Sequence, residues 1–193
     1  MASVQPFLFI QYIPIITPTS TILLFCHPIP TRCIPCAMEE FIKQATEYLK
    51  LRGEISDKML TEDFKNSLLL FKPRIRIWSN LIWQAGFLWK EDADYDPAAV
   101  SEHLKSAGQN LKALIKHFRE LPDFSNEKQV EDVLRKTAME LNLEAKALIH
   151  PVRVAITGRS VSPSLFAVLR VFGKQKSITR IESAIRRFCE LGV

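Results

Sequence analysis

From Met38 onward apolar residues return every three or four positions, the spacing that gathers side chains on one face of an α-helix. Phe41, Ile42, Ala45, Tyr48 and Leu49 predict a first helix over about 39–51, which Gly53 ends. Thr61-Glu62-Asp63 has the form of a helix start and opens a second run through 68–71. Pro73 starts a third, expected to reach Trp89, with Arg74 in its first turn and Trp78, Leu81, Ile82, Ala85 and Leu88 on one side. The acidic stretch 91–97 separates this set from the next. Asp96-Pro97 is a strong start, and Val100, Leu104, Ala107, Leu111, Leu114 and Phe118 hold the helical period in one long element until Pro122. Ser125 is expected to cap a further helix with Val130, Val133, Leu134, Thr137 and Leu141 inward. Ser162, Pro163 and Gly173 frame a short helix with an N-cap hydroxyl, a first-turn proline and a glycine stop. In the last helix Ile178, Ile181, Ile185 and Phe188 point inward, leaving Arg180, Arg186 and Arg187 outside. No βαβ alternation interrupts this pattern, so the expected fold is all-α.

The first 37 residues follow no such period. Residues 1–31 contain no charged side chain and are rich in Ile, Leu, Phe and Pro. Pro14, Pro18, Pro28 and Pro30 break the run into pieces too short to span a membrane, and no basic region marks a secretory signal. Residues 1–37 are therefore expected to be a disordered or aberrant, irregular apolar extension. Cys26, His27, Cys33 and Cys36 offer a CxxC half-site for zinc, but the adjacent Cys26-His27 pair suits tetrahedral ligation poorly. No metal site is expected, and with no disulfide pattern a reducing, cytoplasmic setting is the default.

Composition adds one asymmetry. The 193 residues carry a net charge of +5. From His150 to Val193 eight Lys/Arg stand against two acids, a local charge of +6, so the remainder sums to −1. A basic surface on a rigid helical support suits RNA, whose phosphates supply affinity while fixed side chains supply selectivity. Only six glycines are present, scattered singly, so no phosphate-cradling loop exists. His27, His103, His117 and His150 have no partnered nucleophile; His103 and His117 fall near the polar side of one helix and are expected to be exposed. Asp92, Asp94 and Asp96 read as an acidic helix-start turn.

The block Pro151-Val152-Arg153-Val154-Ala155-Ile156-Thr157-Gly158, followed by Ser162-Pro163-Ser164-Leu165-Phe166 and Phe172-Gly173-Lys174, closely resembles the C-terminal anticodon-binding region of bacterial-type glutamyl-tRNA synthetases. The likeness runs from about Met38 to about Phe188. It implies two small helical subdomains, over 38–92 and 93–193, forming an α-helix cage around splayed anticodon bases. It also implies roles. Arg74 matches the arginine that reads the third anticodon base, Arg153 lines the anticodon pocket, Ser162, Pro163 and Leu165 hold the second base, and Arg135 matches a further contact. Lys72, Arg159, Lys174 and Lys176 are expected to support phosphates, and neutralising about five phosphates implies a log–log salt slope of roughly −3.5 to −4.5. Lys72 and His150 depart from the family, which more often has arginine and glutamine there. A guanidinium can grip a base edge bidentately where lysine cannot, so Arg74 favours discrimination among anticodons.

The resemblance also says what is missing. The HxGH-type and KMSKS-type motifs of the family's catalytic half do not occur in this sequence, so the chain alone is expected to be inactive and to hold no cofactor. ATP and Mg belong to the complete enzyme. The expected partner is tRNA-Glu, bound by a monomer, with a separate catalytic chain as a further possible partner and no membrane association. The alternative is a helical adaptor or membrane-proximal module that relies on the apolar leader. For stability, Phe166→Ala is expected to cost about 3–5 kcal/mol through a core cavity, and Arg153→Ala chiefly to lower RNA affinity.

Overall fold

The computed structural model describes residues 37–190, so the apolar leader with Cys26, His27, Cys33 and Cys36 lies outside the described residues. Among these, all regular structure is helical: α1 (Met38–Leu51), α2 (Glu62–Leu69), α3 (Trp78–Ala85), α4 (Pro97–His103), α5 (Gly108–Glu120), α6 (Glu127–Glu140), α7 (Lys146–Thr157), α8 (Leu165–Phe172) and α9 (Lys174–Ile185). None of these is long and apolar enough to cross a membrane.

The first three helices pack around Phe41, Ala45 and Leu49 of α1, Leu68 of α2, and Trp78, Leu81 and Ala85 of α3, all buried. Burying each large apolar side chain contributes about 1.5–3 kcal/mol. Phe41 and Tyr48 both lie alongside the Trp78 ring, at centroid distances of 5.7 and 6.0 Å. Thr61 caps α2, its hydroxyl accepting from the Phe64 amide. The expected single helix from Pro73 to Trp89 is instead three pieces: a 3₁₀ turn at Lys72–Arg74, α3, and a second 3₁₀ turn at Gly86–Leu88. The extended backbone of Ile75 and Ile77 separates the first two, which lets Ile75 and Trp78 both reach the core.

In the remainder α7 is the central element, packed against α4, α5, α6 and α9 and burying Leu148, Val152, Val154, Ala155 and Ile156. The helix expected to run unbroken from Pro97 to Pro122 is interrupted between α4 and α5. A Cβ at Gly108 would stand 2.8 Å from the Cys189 Cβ, and the Cys189 thiol donates to the Leu104 carbonyl at 3.0 Å. The chain therefore breaks where the π-helical turn Arg186–Glu190 crosses it. Helix α6 is capped by Asn126, whose Oδ1 accepts from the Lys128 and Gln129 amides; Ser125, the expected cap, donates to Asp123 instead. Helix α8 starts at Leu165 rather than Pro163, with Ser164 before it making no side-chain cap, and Gly173 ends it at φ +81°.

The acidic stretch docks onto the end of α7. Gly158 adopts φ +75°, its carbonyl accepts from the Asp96 amide at 2.8 Å, and an added Cβ would stand 2.5 Å from the Asp94 carbonyl oxygen. Asp96 caps α4 through the Ala98 amide and Asp94 pairs with Lys90, so these acids act as turn and cap residues. Tyr95 donates to the Ala155 carbonyl at 3.0 Å.

Arg180 overturns its assignment to the outer face of α9. It is 7% exposed and donates to the carbonyls of Phe87, Ile156, Lys90 and Glu91 at 2.8, 3.4, 2.6 and 2.7 Å. Its guanidinium also lies 4.7 Å from the Phe172 ring centroid, beside the Phe87–Phe172 contact that joins the first three helices to α8. The Phe87 and Ile156 carbonyls lie near the ends of the Gly86–Leu88 turn and α7, those of Lys90 and Glu91 in the segment after the turn, and a five-donor planar cation satisfies several at once.

Candidate nucleic-acid interface

Three segments meet along the seam between the first three helices and α7: the turn Lys72–Arg74, the outer face of α3, and the residues from Arg153 to Leu165. Arg153 projects from α7 and its Nη1 donates to the Ser162 hydroxyl at 3.1 Å and to the Ser162 and Pro163 carbonyls at 3.3 Å each. The Ser162 hydroxyl in turn donates to the Pro163 carbonyl at 2.9 Å. Arg153 thus orders the turn ahead of α8, and Ser162 and Pro163 are buried against it. Its Nε is buried with no hydrogen-bond partner, a donor left open on a cation.

Arg74, exposed on its 3₁₀ turn, acts electrostatically on Arg153 across the seam. Burial first, and then the Arg74 charge, hold the Arg153 guanidinium below its ordinary pKa. Among the described residues neither arginine has a carboxylate within ion-pair distance. Two electrostatically coupled cations with no carboxylate partner among the described residues suit an anionic or strongly accepting ligand. His150, one turn back along α7, stacks on His103 with ring centroids 5.0 Å apart. Its pKa is lowered by burial and then by His103 and Arg153, and its Nδ1 is buried without a partner. His103 and His117 are half-buried rather than exposed, His117 with its Nδ1 2.8 Å from the Thr137 hydroxyl.

Arg159 lies just past Gly158. Its guanidinium carbon sits 3.9 Å from the centroid of the Trp83 ring and its Nε donates to the Trp83 carbonyl at 3.2 Å. Trp83 is on the outer face of α3 and 55% exposed. The sequence reading passed over it, although it is the large aromatic out of phase with Trp78, Leu81 and Ala85.

The other expected residues are placed differently. Leu165 is 2% exposed and belongs to the core, so it can shape the turn but offers little surface. Arg135 stands on the exposed side of α6 and is paired with Glu131, its Nε donating at 2.7 Å. Lys174 has another task. Its ammonium donates to the Arg119 carbonyl at 2.9 Å and to the Leu121 carbonyl, closing the C-terminal end of α5, where a cation also complements the helix dipole. Lys176 is exposed beside a cleft lined by Leu88, Phe172 and Thr179. Lys72 is half-buried, with its ammonium 6.0 Å from the Phe41 ring centroid.

An all-helical support presenting arginines with no carboxylate partner among the described residues, a buried serine–proline turn and an arginine-stacked tryptophan has the character of a nucleic-acid-binding module. A family model described as the anticodon binding domain matches residues 40–185, and the chain belongs to that family. It is 27% identical over 152 residues to a glutamate–tRNA ligase of Caldicellulosiruptor saccharolyticus, covering 78% of this chain and 31% of that protein. It is 34% identical over 116 residues to a glutamate–tRNA ligase of Syntrophobacter fumaroxidans, covering 60% of this chain and 25% of that protein. The chain thus spans about a quarter to a third of the curated relatives it matches. Its fold is shared with a crystal structure of a glutamate tRNA ligase from Elizabethkingia meningosepticum, with a TM-score of 0.67 at 18% identity, covering 79% of this chain and 30% of that one.

Proposed function

We propose that the chain binds the anticodon loop of tRNA-Glu, as the C-terminal, tRNA-reading part of a glutamate–tRNA ligase. The observation that carries this is Arg153 built onto the Ser162–Pro163 turn with its Nε left open, within a chain of the anticodon-binding family. In this reading Arg74 reaches a base edge with its fork, and Arg153 uses its open Nε on a base or phosphate while its Nη1 holds the turn in shape. Arg159 and Lys176 add phosphate contacts, and Arg135 marks the edge of the footprint. Activation of glutamate with ATP and Mg is assigned to the part of the relatives that this chain does not span, whether in the same polypeptide or in a separate catalytic chain. A monomer in the cytoplasm suits that role.

The adaptor reading draws its support from the apolar leader alone, whereas the tRNA reading rests on named side chains within the matched region. Its test is a binding titration against the glutamate tRNA transcript beside a copy with the third anticodon base changed from C to G. Tighter binding to the unaltered tRNA, lost in Arg74→Ala, is expected. With Lys174 committed to carbonyls, about four phosphates remain to be neutralised, giving a log–log salt slope of roughly −2.8 to −3.6. Equal affinity for both RNAs would refute anticodon reading, and a flat salt response would refute RNA binding through this face.

A further inference from the structure

Trp83 is an expensive residue to leave in water, and the fold does not need it there. The inner face of α3 already contributes Trp78, Leu81 and Ala85, each 3% exposed or less, while Trp83 on the opposite face is 55% exposed. Nor is its ring loose. Arg159 lies 3.9 Å from the ring centroid and is itself anchored by its Nε bond to the Trp83 carbonyl, which fixes one face of the indole against a planar cation. Much of the remaining ring surface meets solvent.

We propose that Trp83, backed by Arg159, is a stacking seat for an unpaired nucleobase of the bound RNA, separate from the pocket of Arg74 and Arg153. Single-stranded bases stack on aromatic and guanidinium planes, and a seat held in one orientation needs little ordering when the base arrives. Asp94 and Asp96 act on the Arg159 guanidinium, so the cation behind the ring is partly offset. The seat lies on the same seam as that pair: the turn carrying Arg74 leads into α3, and Arg159 follows Arg153 by six residues, past the end of α7. A phosphodiester chain gripped at the arginines can therefore lay a neighbouring base on the indole. This inference deepens the proposed function and rests on it.

The test uses the full chain and an RNA hairpin carrying the anticodon loop of the glutamate tRNA, with a fully paired duplex of the same stem as control. Hairpin binding should quench the tryptophan fluorescence, chiefly that of Trp83, because Trp78 is buried and Trp89 half-buried. Trp83→Leu should weaken hairpin binding by about five- to a hundredfold, Trp83→Phe should recover most of that loss, and duplex binding should change little in either. Melting temperatures of both variants should stay within a few degrees of the parent. Unchanged hairpin affinity in Trp83→Leu, with discrimination at the third anticodon base retained, would overturn the stacking seat and leave the anticodon reading standing. Equal weakening in the Leu and Phe variants with a matching fall in melting temperature would also overturn it, making the Trp83–Arg159 stack a clamp between helices. No binding of the hairpin or the tRNA by the unaltered chain would overturn both.

Discussion

Arg180 offers the sharpest test of how the two sets of helices are held together. In Arg180→Ala the carbonyls of Phe87, Lys90, Glu91 and Ile156 lose their donor while staying where the chain puts them. Hydrogen bonds to a charged group contribute about 1.5–3 kcal/mol each, and four of them would suggest a very large loss. Two effects reduce it. The guanidinium is itself desolvated, which lowers its pKa although it stays charged at neutral pH, and water can enter the space it vacates to reach some carbonyls. Removing one side of a buried charged network costs about 3–5 kcal/mol, and that is the expected loss here. At about 2–4 °C per kcal/mol for a chain of this size, the melting temperature should fall by roughly 6–20 °C. Arg180→Met keeps most of the stem and restores packing on Phe172, yet it should recover only about 1 kcal/mol, because an apolar replacement cannot satisfy the carbonyls left behind. Arg180→Lys should lie between, a point charge reaching some of the four. Thermal melts and urea titrations of the three variants measure this directly. If Arg180→Ala melts within about 3 °C of the parent, the carbonyls are satisfied without it, and apolar contacts such as Phe87–Phe172 hold the junction alone.

Three further outcomes follow from the same geometry. Burial pushes the Tyr95 hydroxyl up to about 12, with Asp92 adding to the effect and Arg180 and Arg187 opposing it. Because the folded state keeps this proton where the unfolded chain loses it near pH ~10, its contribution is complete below that pH and declines as pH rises toward ~12, by about 2–3 kcal/mol in all. Urea midpoints across that window should fall more steeply for the parent than for Tyr95→Phe, and parallel profiles would contradict the assignment. Gly158→Ala combines a left-handed backbone with a Cβ 2.5 Å from the Asp94 carbonyl oxygen, so a loss of about 2–4 kcal/mol is expected in denaturant titration; an unchanged midpoint would mean that residues 94–96 do not dock on α7. Phe166 is half-buried, so Phe166→Ala should cost about 1–2 kcal/mol rather than a full core cavity, whereas Leu169→Ala, at 0% exposure, should cost about 2–5 kcal/mol; the reverse order in a melting series would refute the packing of α8.

These cases mark where sequence periodicity carries and where it stops. A helix such as α1 is legible because its apolar residues share one face, so a period of three to four names the buried side, as Phe41, Ala45 and Leu49 do. The pattern fails where a second surface arrives from far along the chain. Arg180 sits on what a single helix would count as its polar side, and only the approach of Phe87, Lys90 and Glu91 makes that side interior. The period from Val100 to Phe118 is unbroken in sequence, yet the helix parts where the Cys189 turn crosses it at Gly108. The site shows the same division. The motif around Arg153 and Ser162 is local and can be read directly, since nine residues separate the partners and one hydrogen-bonded turn joins them. The electrostatic coupling of Arg74 to Arg153 and the stacking of Arg159 on Trp83 join residues 79 and 76 positions apart, which no local spacing encodes. Trp83 still left a trace: an apolar residue out of phase with its own helix is either a second contact or a binding surface, and its 55% exposure beside Arg159 is what the stacking proposal builds on.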